Sequence, residues 1–271
     1  MSSSSESIRS LVPIALRLAD AAAEVTLTHF RSASLSTDNK LDAGFDPVTI
    51  ADKGAEAAMR DILAIERPGD GVFGEEQERT FGSSGLTWVL DPIDGTRAYI
   101  SGLPVWGTLI ALDDGTEGRI GIVDQPYLRE RFVGVLDGAV SEAWLQRGEE
   151  RTAISTRRDR GLSDAILFTT DADLFEGPER QAFANVRAQA KLTRYGTDCY
   201  AYALLAMGQI DLVIESGLAA YDVASHVPLI RAAGGIVTNW EGGDCRWGGR
   251  VVAAGSAELH AEVLEILSKT G

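Results

Sequence analysis

Asp91-Pro92-Ile93-Asp94-Gly95-Thr96 sets two carboxylates three residues apart, just ahead of a Gly-Thr pair. The apolar run Leu86-Thr87-Trp88-Val89-Leu90 before it reads as a buried strand, which puts Asp91 at a strand's carboxyl end. Pro92 has no N–H to give to a neighbouring strand, so pairing is expected to end there. Acids leaving a sheet edge suit hard cations, which take carboxylate and carbonyl oxygens. Gly95 lets the backbone approach a ligand closely, and Thr96 adds a hydroxyl and an N–H. A helix opening at Thr96 would turn its free N–H groups toward a phosphate. A plainer reading exists for the same residues. Asp-Pro and Asp-Gly are ordinary turn pairs, and Asp often caps a helix.

Three further acidic loci lie at junctions of the same kind. Gly71-Val72-Phe73-Gly74-Glu75-Glu76 is a short apolar piece that ends in adjacent carboxylates. Neighbouring acids repel unless solvated or shared with a cation. Asp52 follows Asp46-Pro47-Val48-Thr49-Ile50-Ala51 and either begins a helix over 52–65 or serves a site. That helix has apolar residues at Ala55, Ala58, Met59, Ile62 and Leu63. Asp222, in Tyr221-Asp222-Val223-Ala224, precedes an apolar helix and is likewise a cap or a ligand. Junctions between strand-like and helix-like runs gather at one edge of an α/β sheet, where ligands bind.

Taken together, these motifs resemble the inositol monophosphatase superfamily of metal-dependent phosphatases. The resemblance is carried by Gly74-Glu75-Glu76, by Trp88-Val89-Leu90-Asp91-Pro92-Ile93-Asp94-Gly95-Thr96, by Tyr221-Asp222-Val223-Ala224 and by Ala232-Ala233-Gly234-Gly235, in an order that holds from about 11 to 267. Within it the chain is most similar to the histidinol-phosphatase branch, through Arg97-Ala98-Tyr99-Ile100-Ser101-Gly102-Leu103-Pro104, Trp106-Gly107-Thr108-Leu109-Ile110, Asp124-Gln125-Pro126 and Gly196-Thr197-Asp198-Cys199-Tyr200. The resemblance implies a layered αβαβα sandwich and two or three Mg²⁺ ions per subunit of a homodimer. Glu75, Asp91 and the Ile93 carbonyl would hold one ion. Asp91, Asp94 and Asp222 would hold a second, and Glu76 a weaker third. Asp52 and Thr96 would orient the attacking water, Gly95 and Thr96 would bind the phosphate, and Gly196, Thr197, Asp198 and Glu215 would line the rest of the substrate. Relatives of the inositol type carry a lysine well before the acid matched by Asp52. Only Lys40 stands near that place, and it is left out of the site.

The chemistry explains the acids. Phosphate-monoester hydrolysis is among the slowest uncatalysed reactions, because the dianion repels hydroxide and the alkoxide leaves poorly. Two cations about 3.5–4 Å apart answer both difficulties. His and Cys are nearly absent from the motifs, which argues against zinc. No Gly-rich Walker loop is present, which argues against nucleotide hydrolysis of that type. A threonine hydroxyl backed by Asp52 can accept and pass on a proton.

The substrate implied by the branch is L-histidinol phosphate, an intermediate of histidine biosynthesis with an ammonium and an imidazole beside its phosphate. Asp198 and Glu215 supply matching charge; Tyr99 and Tyr200 offer an aromatic wall. Asp198 also reads as the N-cap of a helix over 198–207, and Glu215 as a surface acid closing a strand over 210–214. The alternatives are an inositol-1-monophosphatase or a broader sugar or nucleotide monophosphatase. A phosphate-binding regulatory protein on the same fold is the non-enzymatic one.

The bulk of the chain sets the frame. With 271 residues, 45% of them hydrophobic, it can bury a substantial core. A helix over 11–30 comes first, then strands near Val72, Trp88, Leu109, Ile120, Phe132 and Trp144, with a hairpin signal at Gln125-Pro126-Tyr127. A strand over 166–169, helices over 179–190 and 222–233, a strand over 251–254 and a helix over 257–267 complete the order. Meandering strands followed by alternation indicate a mixed α/β and α+β fold. The polar stretch 151–160 suggests two halves, 1–155 and 156–271, which can also form one continuous unit.

The net charge of −15 speaks against a nucleic-acid partner. It leaves a small phosphorylated substrate whose negative charge bound metal must offset. Cys199 and Cys245 form no disulfide framework and fit a reducing cytoplasm. His29, His226 and His260 share no spacing and read as surface or packing residues. The start, 1–6, is polar, reads as disordered and lacks the basic end of a signal peptide. No apolar run approaches the roughly 18 residues of a membrane span.

Overall fold

The computed structural model describes residues 7–32, 37–39 and 47–269; Asp46, Lys40 and the polar start at 1–6 lie outside them. The elements run α1 (Val12–His29), β1 (Thr37–Asn39), β2 (Pro47–Thr49), α2 (Ile50–Glu66), β3 (Gly71–Gly74), β4 (Thr87–Asp94) and α3 (Thr96–Ile100). Then come β5 (Gly107–Asp113), β6 (Gly118–Gln125), β7 (Glu130–Asp137), β8 (Val140–Arg147) and β9 (Glu150–Ala153). The rest is β10 (Ile166–Thr169), α4 (Pro178–Arg187), β11 (Leu192–Tyr195), α5 (Tyr200–Ala206), β12 (Leu212–Leu218), α6 (Ala220–Val223), α7 (His226–Ala232), β13 (Ile236–Thr238), β14 (Gly249–Ala254) and α8 (Ala257–Ser268).

Strands β3 to β9 form a seven-stranded sheet in sequence order, parallel at β3–β4 and antiparallel elsewhere. The second sheet has the order β11-β10-β12-β14-β13, with β10 parallel to both of its neighbours. Side-chain alternation assigns the layers, because successive strand residues face opposite ways. Trp88 and Leu90 of β4 pack with Leu18, Ala22 and Met59 of α1 and α2. Val89, between them, packs on the other side against Tyr221 and Ala224. In the second sheet Leu212 and Ile214 meet Val186 of α4 and Val263 of α8. Val213 meets Leu205 of α5 and Val227 of α7. The order is therefore α1/α2, large sheet, α5/α6/α7, small sheet, α4/α8: the expected αβαβα sandwich.

Helix α7 packs against both the large sheet and β13 of the small one. Its backbone lies so close to the large sheet that a Cβ on Gly121 would collide with the Ser225 carbonyl, and one on Gly134 with the Leu229 backbone. Only glycine permits that approach. Gly121→Ala should lower stability by about 1–3 kcal/mol, the usual cost of overpacking. Urea unfolding followed by circular dichroism would measure it; an unchanged midpoint would show the helix free to retreat.

Several local expectations are corrected. The single helix over 222–233 is two, α6 and α7, because Pro228 has no N–H for an earlier carbonyl and fits only the first turn of a new helix. Strand β12 runs on through Glu215, which pairs with Val251, instead of stopping at Ile214. Pairing at Pro92 does not end: the register slips between Asp91 and Asp94 and resumes at Asp94–Gly107. Thr108 caps that bulge, its hydroxyl donating to the Pro92 carbonyl at 2.8 Å.

Candidate functional site

The bulge in β4 aims the acids. Asp91 shares the face of Val89, toward α6, and is 1% exposed. Its Oδ1 accepts the Ile93 N–H at 3.0 Å, and Asp94 Oδ2 accepts the Cys199 N–H at 2.7 Å. Asp222 folds back onto the start of α6, accepting the Ala219 N–H at 2.6 Å. It is thus the cap that the sequence allowed, and it also points one oxygen to the other acids. Asp91, Asp94 and Asp222 each offer an oxygen, and the three oxygens lie within 4.8 Å of one another.

Electrostatics shows what this cluster needs. Burial pushes the Asp91 carboxyl well above its usual range, and the charges of Glu75, Asp94 and Asp222 add to it. Burial does the same to Asp94, helped by Asp198 and Asp222. Such a set is stable as carboxylates only beside positive charge. The converging donors are all oxygens, the set that Mg²⁺ or a similar hard cation takes. The residues therefore fit a divalent cation.

Glu75 stands beside Asp91 and Asp52, whose carboxyls its charge pushes upward. Its partner Glu76 follows on the same loop, anchored through the backbone. The Glu76 N–H donates to Glu56 Oε2 at 2.7 Å, and the Gln77 N–H to Glu56 Oε1 at 3.1 Å. Glu56 is fully buried and paired with Arg60 at 2.7 Å. Sequence reasoning missed it, because an acid in an amphipathic helix looks like part of the solvent face.

Asp52 is both cap and site residue. Its Oδ2 accepts from the Thr49 N–H at 2.8 Å and the Thr49 hydroxyl at 2.5 Å, while its Oδ1 accepts the Thr96 hydroxyl at 3.4 Å. That hydroxyl also donates to the Ile93 carbonyl at 3.0 Å. Burial raises the Asp52 carboxyl. Gly95 opens α3 at φ 82°, a conformation that glycine adopts without strain.

A cavity of about 150 Å³ continues from Asp94 and Asp222 toward Asp198 and Glu215. Asp198 does not cap α5: Cys199 occupies that place, and Asp198 holds a left-handed φ of 42° beside Gly95. Burial moves its carboxyl up to about 6, with the Glu215 charge adding and Arg97 opposing. Glu215 is buried, not a surface acid. Its Oε1 accepts from the Thr170 N–H at 3.0 Å and the Thr170 hydroxyl at 2.5 Å, and its Oε2 from the Tyr202 hydroxyl at 2.9 Å. Gly196 turns the chain at φ 76°, its N–H held by the Thr170 carbonyl, and among the described residues the buried Thr197 hydroxyl has no hydrogen-bond partner.

The aromatic wall differs from expectation. Tyr99 packs in the core against Phe30 and Trp106 and donates to the Thr26 carbonyl; Tyr200 bonds Glu130 and packs on Phe132. Tyr202 lines the cavity instead, with His226. Of the histidines, His29 is partly exposed, His260 meets Thr238 and His226 is fully buried.

Burial moves the His226 imidazole down from 6.5 to about 3. An unfolded chain takes up that proton below about 6.5 and the folded one does not, so stability falls as pH drops through this window. His226→Phe should lose about 2 kcal/mol less than the wild type between pH 6.5 and 5, read from urea unfolding at both values. Equal losses would refute the burial argument.

Residues 7–270 match the inositol monophosphatase family. The chain is 43% identical over 261 residues to the chloroplastic bifunctional phosphatase IMPL2 of Arabidopsis thaliana, covering 92% of this chain and 72% of that protein. It is 35% identical over 260 residues to the histidinol-phosphatase of Streptomyces coelicolor, covering 93% and 94%. An inositol monophosphatase structure from Zymomonas mobilis superposes with a TM-score of 0.82 at 41% identity, covering 96% of this chain and 98% of that one. The match spans nearly the whole chain, β4 and α6 with their clustered acids included, and so the chain belongs to the inositol monophosphatase family.

Proposed function

We propose that this family member is a Mg²⁺-dependent phosphomonoesterase whose substrate is L-histidinol phosphate. The observation that carries the reading is the convergence of Asp91, Asp94 and Asp222 at the mouth of a cavity whose far side is also acidic. Glu75, Asp91, the Ile93 carbonyl, Asp94 and Asp222 would hold the cations, with Glu76 at a third, weaker position. Bound there, Mg²⁺ would draw charge from the phosphoryl oxygens and make water more acidic.

The chain's own residues do the rest. Gly95 and Thr96 present backbone and hydroxyl to the phosphate. The Thr96 hydroxyl, donating to Asp52, keeps its lone pairs for a hydrogen of the attacking water. Asp52, raised by burial, is a stronger base than an exposed aspartate and receives the proton through Thr96. Gly196 and Thr197 shape the entrance, and Asp198 and Glu215 face the cationic alcohol. The halves 1–155 and 156–271 act as one unit, since acids from both are needed. A cytoplasmic homodimer completes the reading.

The 41% identical Zymomonas mobilis structure favours a second reading, hydrolysis of inositol phosphate. A substrate panel with Mg²⁺ separates the two: L-histidinol phosphate is expected to be turned over fastest, and a preference for inositol 1-phosphate would reverse the assignment. Asp198→Asn should raise KM for histidinol phosphate about tenfold while raising that for para-nitrophenyl phosphate less, since one charge-assisted contact is lost. Equal changes would make Asp198 structural.

A further inference from the structure

One side chain in the cavity has hydrogen-bonding capacity that the protein does not use. His226 is fully buried, and its ring lies flat on Tyr202, with centroids 4.0 Å apart and planes 6° from parallel. Among the described residues neither Nδ1 nor Nε2 has a hydrogen-bond partner. A neutral imidazole carries one donor and one acceptor, and burying both unmade is costly. Several neighbouring polar groups are committed. Glu215 is held by Thr170 and Tyr202, the Tyr202 hydroxyl by Glu215, and one Asp94 oxygen by the Cys199 N–H. His226 lines the same cavity.

We propose that His226 is a specificity-determining residue that hydrogen-bonds the alcohol portion of the phosphate ester, completing both ring nitrogens only when substrate is bound. The inference rests on the phosphatase reading of the site. It specifies the ligand's chemistry: an alcohol bearing N–H or O–H groups that reach past the phosphate, as against a plain aryl or alkyl alcohol. Glu215 and Asp198 supply charge to such a group, and the imidazole supplies direction. Its acceptor nitrogen meets an N–H or O–H, and its donor meets a lone pair.

The test compares kcat/KM for the natural ester that the wild type prefers, histidinol phosphate or inositol 1-phosphate, with kcat/KM for para-nitrophenyl phosphate. His226→Phe keeps a flat ring on Tyr202 and loses both hydrogen bonds. The ratio is expected to fall about fivefold or more, mainly through KM of the natural ester, and His226→Gln should regain part of it. A smaller fall overturns the proposal. Wild-type protein that releases phosphate from no ester sinks the phosphatase reading and this inference together; turnover with an unmoved ratio sinks this one alone. If the Phe variant does not fold, ¹⁵N-histidine-labelled wild type decides. Adding the free alcohol with inorganic phosphate and Mg²⁺ should move the ring-nitrogen resonances of His226 and leave those of His29 and His260 in place. Unmoved His226 resonances overturn it.

Discussion

Asp94→Asn is expected to lower kcat/KM by at least roughly 10²–10³-fold, the scale of losing one group that stabilises developing charge. The amide keeps an oxygen for the Cys199 N–H, now 2.7 Å from Asp94 Oδ2, so the local fold has no reason to change. Without cations the variant should even be the more stable protein. Burial and the charges of Asp198 and Asp222 disfavour the Asp94 carboxylate, and the amide removes that penalty. Phosphate release and thermal midpoints in EDTA check both halves. Normal turnover would exclude Asp94 as a ligand, and a collapsed midpoint would make it structural.

Removing divalent cations should abolish phosphate release altogether, and returning Mg²⁺ should restore it. The same addition should raise the melting temperature. A ligand at a hundred times its Kd contributes about 2.7 kcal/mol to the folded state. For a chain of this size that corresponds to a rise of roughly 5–10 °C. Calorimetry with and without Mg²⁺, at matched ionic strength, measures it. A rise of the same size with NaCl would reduce the effect to screening of the −15 net charge. In Asp94→Asn most of the Mg²⁺-specific rise should vanish.

The large sheet was legible because its strands are long and their apolar runs continuous, as in Thr87–Asp94 and Gly107–Asp113. Glu150–Ala153 was not, because all four of its residues are exposed and only the pairing with β8 makes them a strand. Leu192–Tyr195 is likewise mostly exposed, and Ile236–Thr238 is only three residues long. The acids of the site were legible for the opposite reason: carboxylates at the ends of apolar runs are costly to keep without a purpose. Their supports were not. Glu56 reaches the Glu75–Glu76 loop from the buried side of a helix whose pattern left that place to solvent. Tyr200 was expected at the wall, but the direction of α5 sends it to Glu130 and puts Tyr202, two residues on, in the cavity. His226 had no signal at all, since its stacking on Tyr202 joins two helices far apart in the chain.

The three converging acids come from β4 and from α6, more than a hundred residues later. A ribosome adding about 5–20 residues per second needs on the order of ten seconds to travel between them. During that interval the large sheet emerges with the face that α5, α6 and α7 will cover still bare. If the proposed cation site is right, the nascent chain is expected to be catalytically silent until α6 clears the exit tunnel, and activity during translation would report the arrival of the last acid.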